Sequence, residues 1–320
     1  MKEFYLAELN VNQDFTDFFM LRSLDIRLGG NKKEYLDITI SDSSGEMSAK
    51  KWDITEEEAE QLKKIPIGEP VKIKGIVTEW NGIKQIKIGK IRQAVKEDKL
   101  DVKEFVRTAP EESEDMYEYI LGAAQSMKDE QLKQLCTELL EENHEQLLYY
   151  PAASKNHHAI LGGLLYHMKR MIMSGKALCK IYTNVNEDLA VAGVIIHDME
   201  KIREIESNSL GISPGYTFKG ELLGHIVQGI VSIEEKADKI GLSEEKKVML
   251  QHMILSHHYE PEFGSPKRPM FPEAELLHYL DILDARMYDM EYALETVEPG
   301  KMSKKVWTLE NRKVYKVKNP

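Results

Sequence analysis

Thiols are almost absent from this chain: Cys136 and Cys179 are the only cysteines among 320 residues. They fall in separate helix-patterned stretches without metal-type spacing, which excludes a disulfide framework and leaves two reduced core thiols. Long apolar runs are missing too. Nothing approaches the roughly 20 consecutive residues needed to span a bilayer, and the opening Met1-Lys-Glu-Phe-Tyr-Leu-Ala-Glu8 lacks the apolar core of a signal peptide. A cytoplasmic protein with no membrane partner is therefore expected. Internal repeats and low-complexity tracts are lacking as well. Positive charge is in overall deficit, 43 Lys and Arg against 54 Asp and Glu, for a net charge of -11. That excludes a protein that coats nucleic acid with its whole surface, but not one with a local basic groove.

Up to about Ala94 the pattern is β-like. Tyr5–Leu9, Asp17–Leu28 and Tyr35–Ile40 read as strands between Gly, Asn, Asp and Ser turns. Val71, Ile73, Gly75 and Val77 alternate with Lys72, Lys74 and Ile76, and Asn81-Gly82 is a strong hairpin signal before Ile83–Ile91. A helix over Thr55–Lys64 interrupts the strands, with Thr55 as N-cap and Glu58 completing a capping box. Several strands, one helix ahead of the last hairpin and basic side chains on that hairpin predict a small antiparallel β-barrel, an OB-fold, over residues 1–94.

Such barrels grip single strands by combining a positive groove with aromatic stacking. Between Val71 and Lys96 there are seven cations and a single acid, Glu79. Lys72, Lys74, Lys84 and Lys87 are the candidate nucleic-acid contacts, although the same lysines would also suit a solvated outer face. Phe15, Phe18, Phe19, Tyr35, Trp52 and Trp80 fit stacking or core equally well at this level.

Residues 95–110, with mixed charge and no apolar run, read as a linker. From Glu111 the pattern is helical: Glu114–Met127, Lys128–Glu142, His158–Ile181, Asp188–Lys201, Gly220–Ile240, Ser243–Tyr259 and Pro272 to roughly Val297. The fold class expected is α+β multidomain, the barrel followed by an all-α bundle over 111–300. A tail over 301–320 looks extended and is expected to return to the barrel or to a neighbouring subunit.

Chemistry concentrates in the helical part. His167 sits inside an apolar helix, where an unpartnered imidazole is costly to bury. His197 and Asp198 end the next helix, after the run from Ala190 to Ile196. His225 follows Gly220-Glu-Leu-Leu-Gly224, whose last glycine would admit another backbone or ligand. His257 and His258 end a further helix, and Asp281 interrupts Leu276-Leu-His-Tyr-Leu-Asp-Ile-Leu283, where a carboxylate needs a partner. Any one of these histidines taken alone would more simply be a hydrogen-bonded core residue, and His144, His252 and His278 are left as such. As an ordered set, one element per helix, they predict a metal site.

Neutral imidazole and carboxylate without thiolate suit Mn, Fe, Zn or Ni and disfavour a closed structural zinc site. A carboxylate such as Asp198 can bridge two cations roughly 3.5–4 Å apart, an arrangement used for phosphodiester displacement by a metal-bound hydroxide.

The order His…His-Asp…His…His-His…Asp resembles the HD phosphohydrolase superfamily. Pro151 to His167, Gly220 to His225 and Gly264 to Asp281, together with the order of barrel and helical domain, resemble the YhaM-type 3′-to-5′ exoribonucleases over nearly the whole chain. The resemblance implies Mn-dependent removal of nucleotides from the 3′ end of single-stranded RNA, with single-stranded DNA as a second substrate. It implies His167, His197, Asp198 and Asp281 as basic ligands and His225, His257 and His258 as those of a second cation. A glutamate four residues before the first His, the extra ligand of trinuclear relatives, is replaced by Gly163, so two divalent ions, Mn2+ by preference, are expected.

Within Asp281-Ile-Leu-Asp-Ala285 the resemblance gives the ligand to Asp281 and leaves Asp284 as its support. Asp198 and Lys201 are the expected catalytic residues, Lys201 by contact with the scissile phosphate. Glu200 departs from the usual glycine of His-Asp-x-Gly-Lys and brings negative charge near a polyanionic substrate, unless it points away. Lys267 and Arg268 of Gly264-Ser-Pro-Lys-Arg-Pro269 form either a phosphate clamp or a solvated loop. Two alternatives stand beside the exonuclease: hydrolysis of small nucleotides or cyclic dinucleotides, and a single-strand-binding regulator with a weakened site. A homo-oligomer is left open.

Overall fold

The computed structural model describes residues 2–29, 33–52, 54–101, 104–154 and 158–318. Lys155, Asn156 and His157 of the motif leading to His167 lie outside the described residues. By its internal contacts the chain divides into two units, Met1–Thr108 with Ile212–Pro214, and Ala109–Gly211 with Gly215–Pro320.

The first unit is a closed barrel in the strand order β1-β2-β3-β5-β4. Its strands are β1 (Asp14–Leu28), β2 (Glu34–Asp42), β3 (Gly45–Trp52), β4 (Pro70–Trp80) and β5 (Ile83–Gln93). β1 is long enough to serve two partners: Asp14 to Met20 pair with β4, and Met20 to Leu28 pair with β2 across an irregularity between Leu21 and Ser23. Closure comes from a short parallel contact, Ala49 opposite Ile86 and Lys50 opposite Lys87. Alternation sends Phe15, Phe19, Leu36, Ile38, Ile40, Val71, Ile73, Val77 and Ile86 inward as the core.

α1 (Glu56–Leu62) bridges β3 to β4, and its capping box forms as expected, Glu58 N–H on Thr55 Oγ1 and Thr55 N–H on Glu58 Oε2. Tyr5–Leu9 is not a strand. Leu6–Glu8 is a 3-10 turn whose Leu6 N–H donates to the buried Asp42, and the strand the sequence hides is β3. Residues 104–106 pack into this unit, with Glu104 holding Ser43 and the Lys2 backbone, where a linker is expected.

The second unit is helical: α2 (Ser113–Gln125), α3 (Glu130–Glu142), α4 (His144–Leu147), α5 (Gly163–Cys179), α6 (Glu187–His197), α7 (Lys201–Glu204), α8 (Phe218–Ile240), α9 (Glu244–Ser256) and α10 (Pro272–Leu294). α5 starts later than the apolar pattern suggests because His158 and Gly162 both adopt positive φ. Leu189 to Ile196 are buried all round α6, as befits a central helix. It packs against α3, α5, α9 and α10. Asn186 caps its start, accepting the Leu189 N–H, and its other end is buried, with His197 and Asp198 each 1% exposed. None of the described helices is long and apolar enough to cross a membrane.

The tail pairs with itself. Residues 300–306 and 312–316 form a two-stranded ribbon belonging to the helical unit, with Met302 opposite Tyr315 and Val306 opposite Arg312.

Candidate metal centre

The end of α6 sets the position of everything else. Asp198 caps that helix, and its two carboxylate oxygens face two groups of histidines. Oδ2 lies 3.4 Å from His197 Nε2 and 3.9 Å from His167 Nε2, while Oδ1 lies 3.5 Å from His225 Nε2 and 3.9 Å from His257 Nε2. Asp281 on α10 adds its Oδ1 at 3.4 Å from His167 Nε2. The ligand atoms of His167, His197 and Asp198 all lie within 4.8 Å of one another, as do those of His225, His257 and His258.

The four rings beside Asp198, and His258 grouped with two of them, are fixed in the same way: in each, Nδ1 is already engaged. His197 Nδ1 meets Val194 O at 2.8 Å, His257 Nδ1 meets Ile254 O at 2.7 Å and His258 Nδ1 meets Phe263 O at 2.6 Å. A carbonyl only accepts, so these three Nδ1 atoms carry the proton, and a neutral ring then turns a lone pair on Nε2 toward the centre. His167 Nδ1 bonds Asp284 Oδ2 at 2.7 Å and His225 Nδ1 bonds Glu204 Oε2 at 3.0 Å. Carbonyl and carboxylate partners of this kind fix the tautomer and orientation of metal-ligating histidines.

Local sequence explains the approach of each ring. Gly224 breaks α8 with φ 66° and ψ 171°, and the amide this frees, that of His225, donates to Glu204 Oε1 at 3.0 Å. The close backbone approach expected at Gly224 occurs instead at Gly220, where a Cβ would lie 2.1 Å from Glu204 O. Two helix C-termini, those of α6 and α9, end at the site, and the negative ends of their dipoles favour a cation there.

Electrostatics point the same way. Burial alone would raise the Asp198 carboxyl, but Lys201, His197 and His225 outweigh it and hold it well below the usual range. Burial is likewise outweighed at Lys201, whose ammonium stands 2.6 Å from Asp198 Oδ2 and stays protonated. Burial, His258 and His197 push His257 well below its ordinary value, and burial also lowers His258. His167 goes the other way, because Asp281 and Asp284 outweigh burial and push it up to about 9. Two carboxylates there demand a positive charge, as a proton or as a cation.

Four buried atoms at the site, His197 Nε2, His225 Nε2, His257 Nε2 and Asp198 Oδ1, have no hydrogen-bond partner among the described residues. Leaving such atoms unpaired is expensive, and imidazole with carboxylate is a donor set that divalent cations take. The residues present therefore fit divalent metal binding. The further grouping of His158, His167 and Asp284 is instead a hydrogen-bonded support, both rings meeting Asp284 Oδ2 while Arg170 takes Oδ1 at 2.6 Å.

Glu200 points away from the centre. It is 3% exposed, and its carboxylate pairs with Arg203. Arg268 and Lys267 are exposed on the loop after α9, Arg268 lying over the Tyr259 ring and 3.5 Å from Glu260. The loop itself is tied down by Ser265, whose buried hydroxyl accepts the His258 N–H. His278 bonds His257 O at 2.7 Å, and His144 and His252 lie outside the cluster.

In the barrel, Lys74, Lys84 and Lys87 are exposed and Lys72 is partly so, although Lys84 Nζ also donates to Leu9 O. Phe15 and Phe19 are core. Tyr35 stacks on the half-exposed Trp52 at 4.5 Å between centroids, and Trp80, 69% exposed, stands at the Asn81-Gly82 turn. Sequence reasoning missed Glu204 and His158. Both lie in polar surroundings that carry no periodic signal, and only the fold shows what they hold.

Residues 21–94 match the family model of the OB-fold nucleic acid binding domain, and residues 164–286 match that of the HD domain. Over 311 residues the chain is 38% identical to 3'-5' exoribonuclease YhaM of Geobacillus sp. (strain WCH70), covering 97% of this chain and 94% of that one. Among solved structures, the second OB-fold domain of replication protein A from Methanococcus maripaludis is 14% identical at a TM-score of 0.24, over 28% of this chain and 92% of that one. Schizosaccharomyces pombe Pot1pC bound to ssDNA is 12% identical at a TM-score of 0.23, over 31% and 90%.

Proposed function

The chain belongs to the YhaM family of 3′-to-5′ exoribonucleases, combining an OB-fold with an HD domain, and on that premise we propose that it removes nucleotides from the 3′ end of single-stranded RNA at a site for two divalent cations built on Asp198. The observation that carries the reading is the convergence of four ring Nε2 atoms, those of His167, His197, His225 and His257, on the two oxygens of one carboxylate, each ring fixed from behind at Nδ1.

His167, His197, Asp198 and Asp281 would hold one cation, and His225, His257 and His258 with Asp198 the other; Mn2+ is the ion we assign. Bound there, the pair supplies an activated water and neutralises charge on the phosphoryl oxygens. The chain's own groups do the rest. Lys201, kept protonated beside Asp198, presents positive charge to a non-bridging oxygen of the scissile phosphate and holds Asp198 ionised. Burial keeps bulk water from the Asp198 carboxylate.

Lys72, Lys74, Lys84 and Lys87 hold the strand's backbone, with Trp52, Tyr35 and Trp80 as stacking surfaces. Lys267 and Arg268 meet phosphates on the helical unit. Contacts of this kind do not read the 2′-hydroxyl, so single-stranded DNA is a second substrate. A mononucleotide would leave the basic β4–β5 hairpin idle, which favours a polymer. Glu200, paired with Arg203, gives no support to a weakened site.

The test is Asp198→Ala assayed on 5′-labelled single-stranded RNA with Mn2+. Turnover should fall to background with strand affinity retained; degradation at the wild-type rate would overturn the assignment.

A further inference from the structure

The chain has a second basic stretch besides the barrel hairpin, and the site does not use it. Between Lys301 and Lys318 there are seven cations, Lys301, Lys304, Lys305, Arg312, Lys313, Lys316 and Lys318, and a single acid, Glu310, in a protein of net charge -11. This stretch is the ribbon, which Gly300 N–H to Lys316 O, Ser303 N–H to Val314 O and Val306 N–H to Arg312 O hold together.

The ribbon is anchored to α10. Leu309 at its tip is fully buried, residues 307–309 pack on α10 near Asp289, and Arg286 donates twice to Glu310 at 2.7 and 3.1 Å. Glu310 also takes Arg312 at 3.0 Å. The local acids are thus occupied, while Lys304, Lys305 and Lys313 stand exposed without an ion-pair partner among the described residues.

The apolar side chains of the ribbon are the second observation. Trp307 is 68% exposed beside the turn, and Met302 and Tyr315, opposite one another, are exposed as well. An indole so exposed does nothing for a core, and hydrophobic burial would normally claim it. The same device occurs at Trp80, 69% exposed beside the turn of the lysine-rich β4–β5 hairpin. Base stacking on aromatics flanked by phosphate-binding cations is sequence-tolerant recognition of a single strand.

We propose that the ribbon 300–318 is a second single-strand binding surface, carried by the catalytic unit itself, in which Trp307 and Tyr315 stack on bases while Lys304, Lys305 and Lys313 take phosphates. The proposal rests on the exoribonuclease reading for its ligand. Asp281 and the ribbon's anchor Asp289 share α10 and are separated by about 12 Å along its axis, so a strand lying on the ribbon is held close to the metal centre, independently of the barrel.

The test uses the full-length, Mn-loaded protein and two variants, Lys304→Glu/Lys305→Glu and Trp307→Ala. A control, Lys180→Glu/Lys239→Glu, places the same charge change elsewhere on the helical unit. Binding of a 5′-fluorescein oligouridylate is followed by anisotropy over a range of salt concentrations with each substitution placed on Asp198→Ala, which leaves the probe intact, while hydrolysis of bis(p-nitrophenyl) phosphate by the same variants with Asp198 present reports the metal centre alone, and light scattering gives the mass.

Each ribbon variant should weaken binding about tenfold, and the double variant should flatten the slope of log affinity against log salt by about 1.4, the value for two phosphate contacts on a single strand. Hydrolysis of the small diester should be unchanged, and the control should bind within about twofold of wild type. Wild-type affinity and slope in both ribbon variants, or equal weakening in the control, overturns the proposal. So does altered mass with RNA affinity unchanged, which would make the ribbon a contact between copies. If the wild-type protein hydrolyses neither RNA nor diester, it is the exonuclease reading that fails, and the anisotropy still decides the ribbon.

Discussion

One carboxylate holds His225 at two points: Glu204 accepts its backbone N–H at Oε1 and its ring Nδ1 at Oε2, both at 3.0 Å. The first contact replaces the helical bond that the break at Gly224 removes, and the second aims Nε2 at Asp198. Removing a support of this type typically costs 10–100-fold in metal affinity. On the proposed two-cation reading, Glu204→Ala is therefore expected to weaken one site by about that factor and leave the other nearly intact, as read by calorimetric titration with Mn2+. Equal affinities at both sites, as in wild type, would show that Glu204 positions nothing.

Removal of metal should cost stability as well as activity. The buried unpaired atoms around Asp198 are compensated only when a cation is bound, and a ligand present at about 100 times its Kd stabilises by about 2.7 kcal/mol. A chelated sample should melt at lower temperature than one restored with Mn2+, and Asp198→Ala should abolish most of that difference.

Glu200→Gly restores the residue more usual in the His-Asp motif. Because Glu200 is buried and pairs with Arg203 rather than facing the centre, the substitution should leave turnover within about twofold. It should lower stability by about 1–2 kcal/mol through the lost contact and the flexibility of glycine. A large rise in activity on RNA would mean that the side chain does reach the substrate.

The two thiols should be silent in the native protein. Burial pushes Cys136 up to about 12 and also raises Cys179, so thiolate is scarce at neutral pH. With folded values above the unfolded one, this contribution to stability is complete below the ordinary thiol range and fades as pH rises toward the folded values. Ellman's reagent at pH 8 should find no reactive thiol until denaturant is added, and then two.

The histidines that cluster around Asp198 are legible in the sequence because polar groups inside apolar runs stand out, and the runs themselves give the helices that carry them. What binds those rings from behind is not legible. Glu204 lies in Lys201-Ile-Arg-Glu-Ile-Glu206, where it reads as one more solvated charge, and its meeting with His225 depends on how α7 packs on α8. β3 escapes for a related reason. Gly45-Glu-Met-Ser-Ala-Lys-Lys-Trp52 has no branched apolar residue, and the inward positions near its end are filled by Ala49 and by the stem of Lys51, whose ammonium pairs with Glu58. The tail reads as extended, which its backbone is, but its partner is itself, a long-range fact that local pattern does not carry.

The engaged Nδ1 atoms also decide when the ordering of the site takes place. Fixing a side chain costs rotamer entropy, and here the five rings lose theirs during folding rather than at the moment a cation arrives. Affinity is then limited by how well the surrounding helices keep those rings still. A substitution that loosens α9 or the loop holding Phe263 would weaken ion binding without touching any ligand, because the packed helical unit, and not the incoming ion, supplies the order.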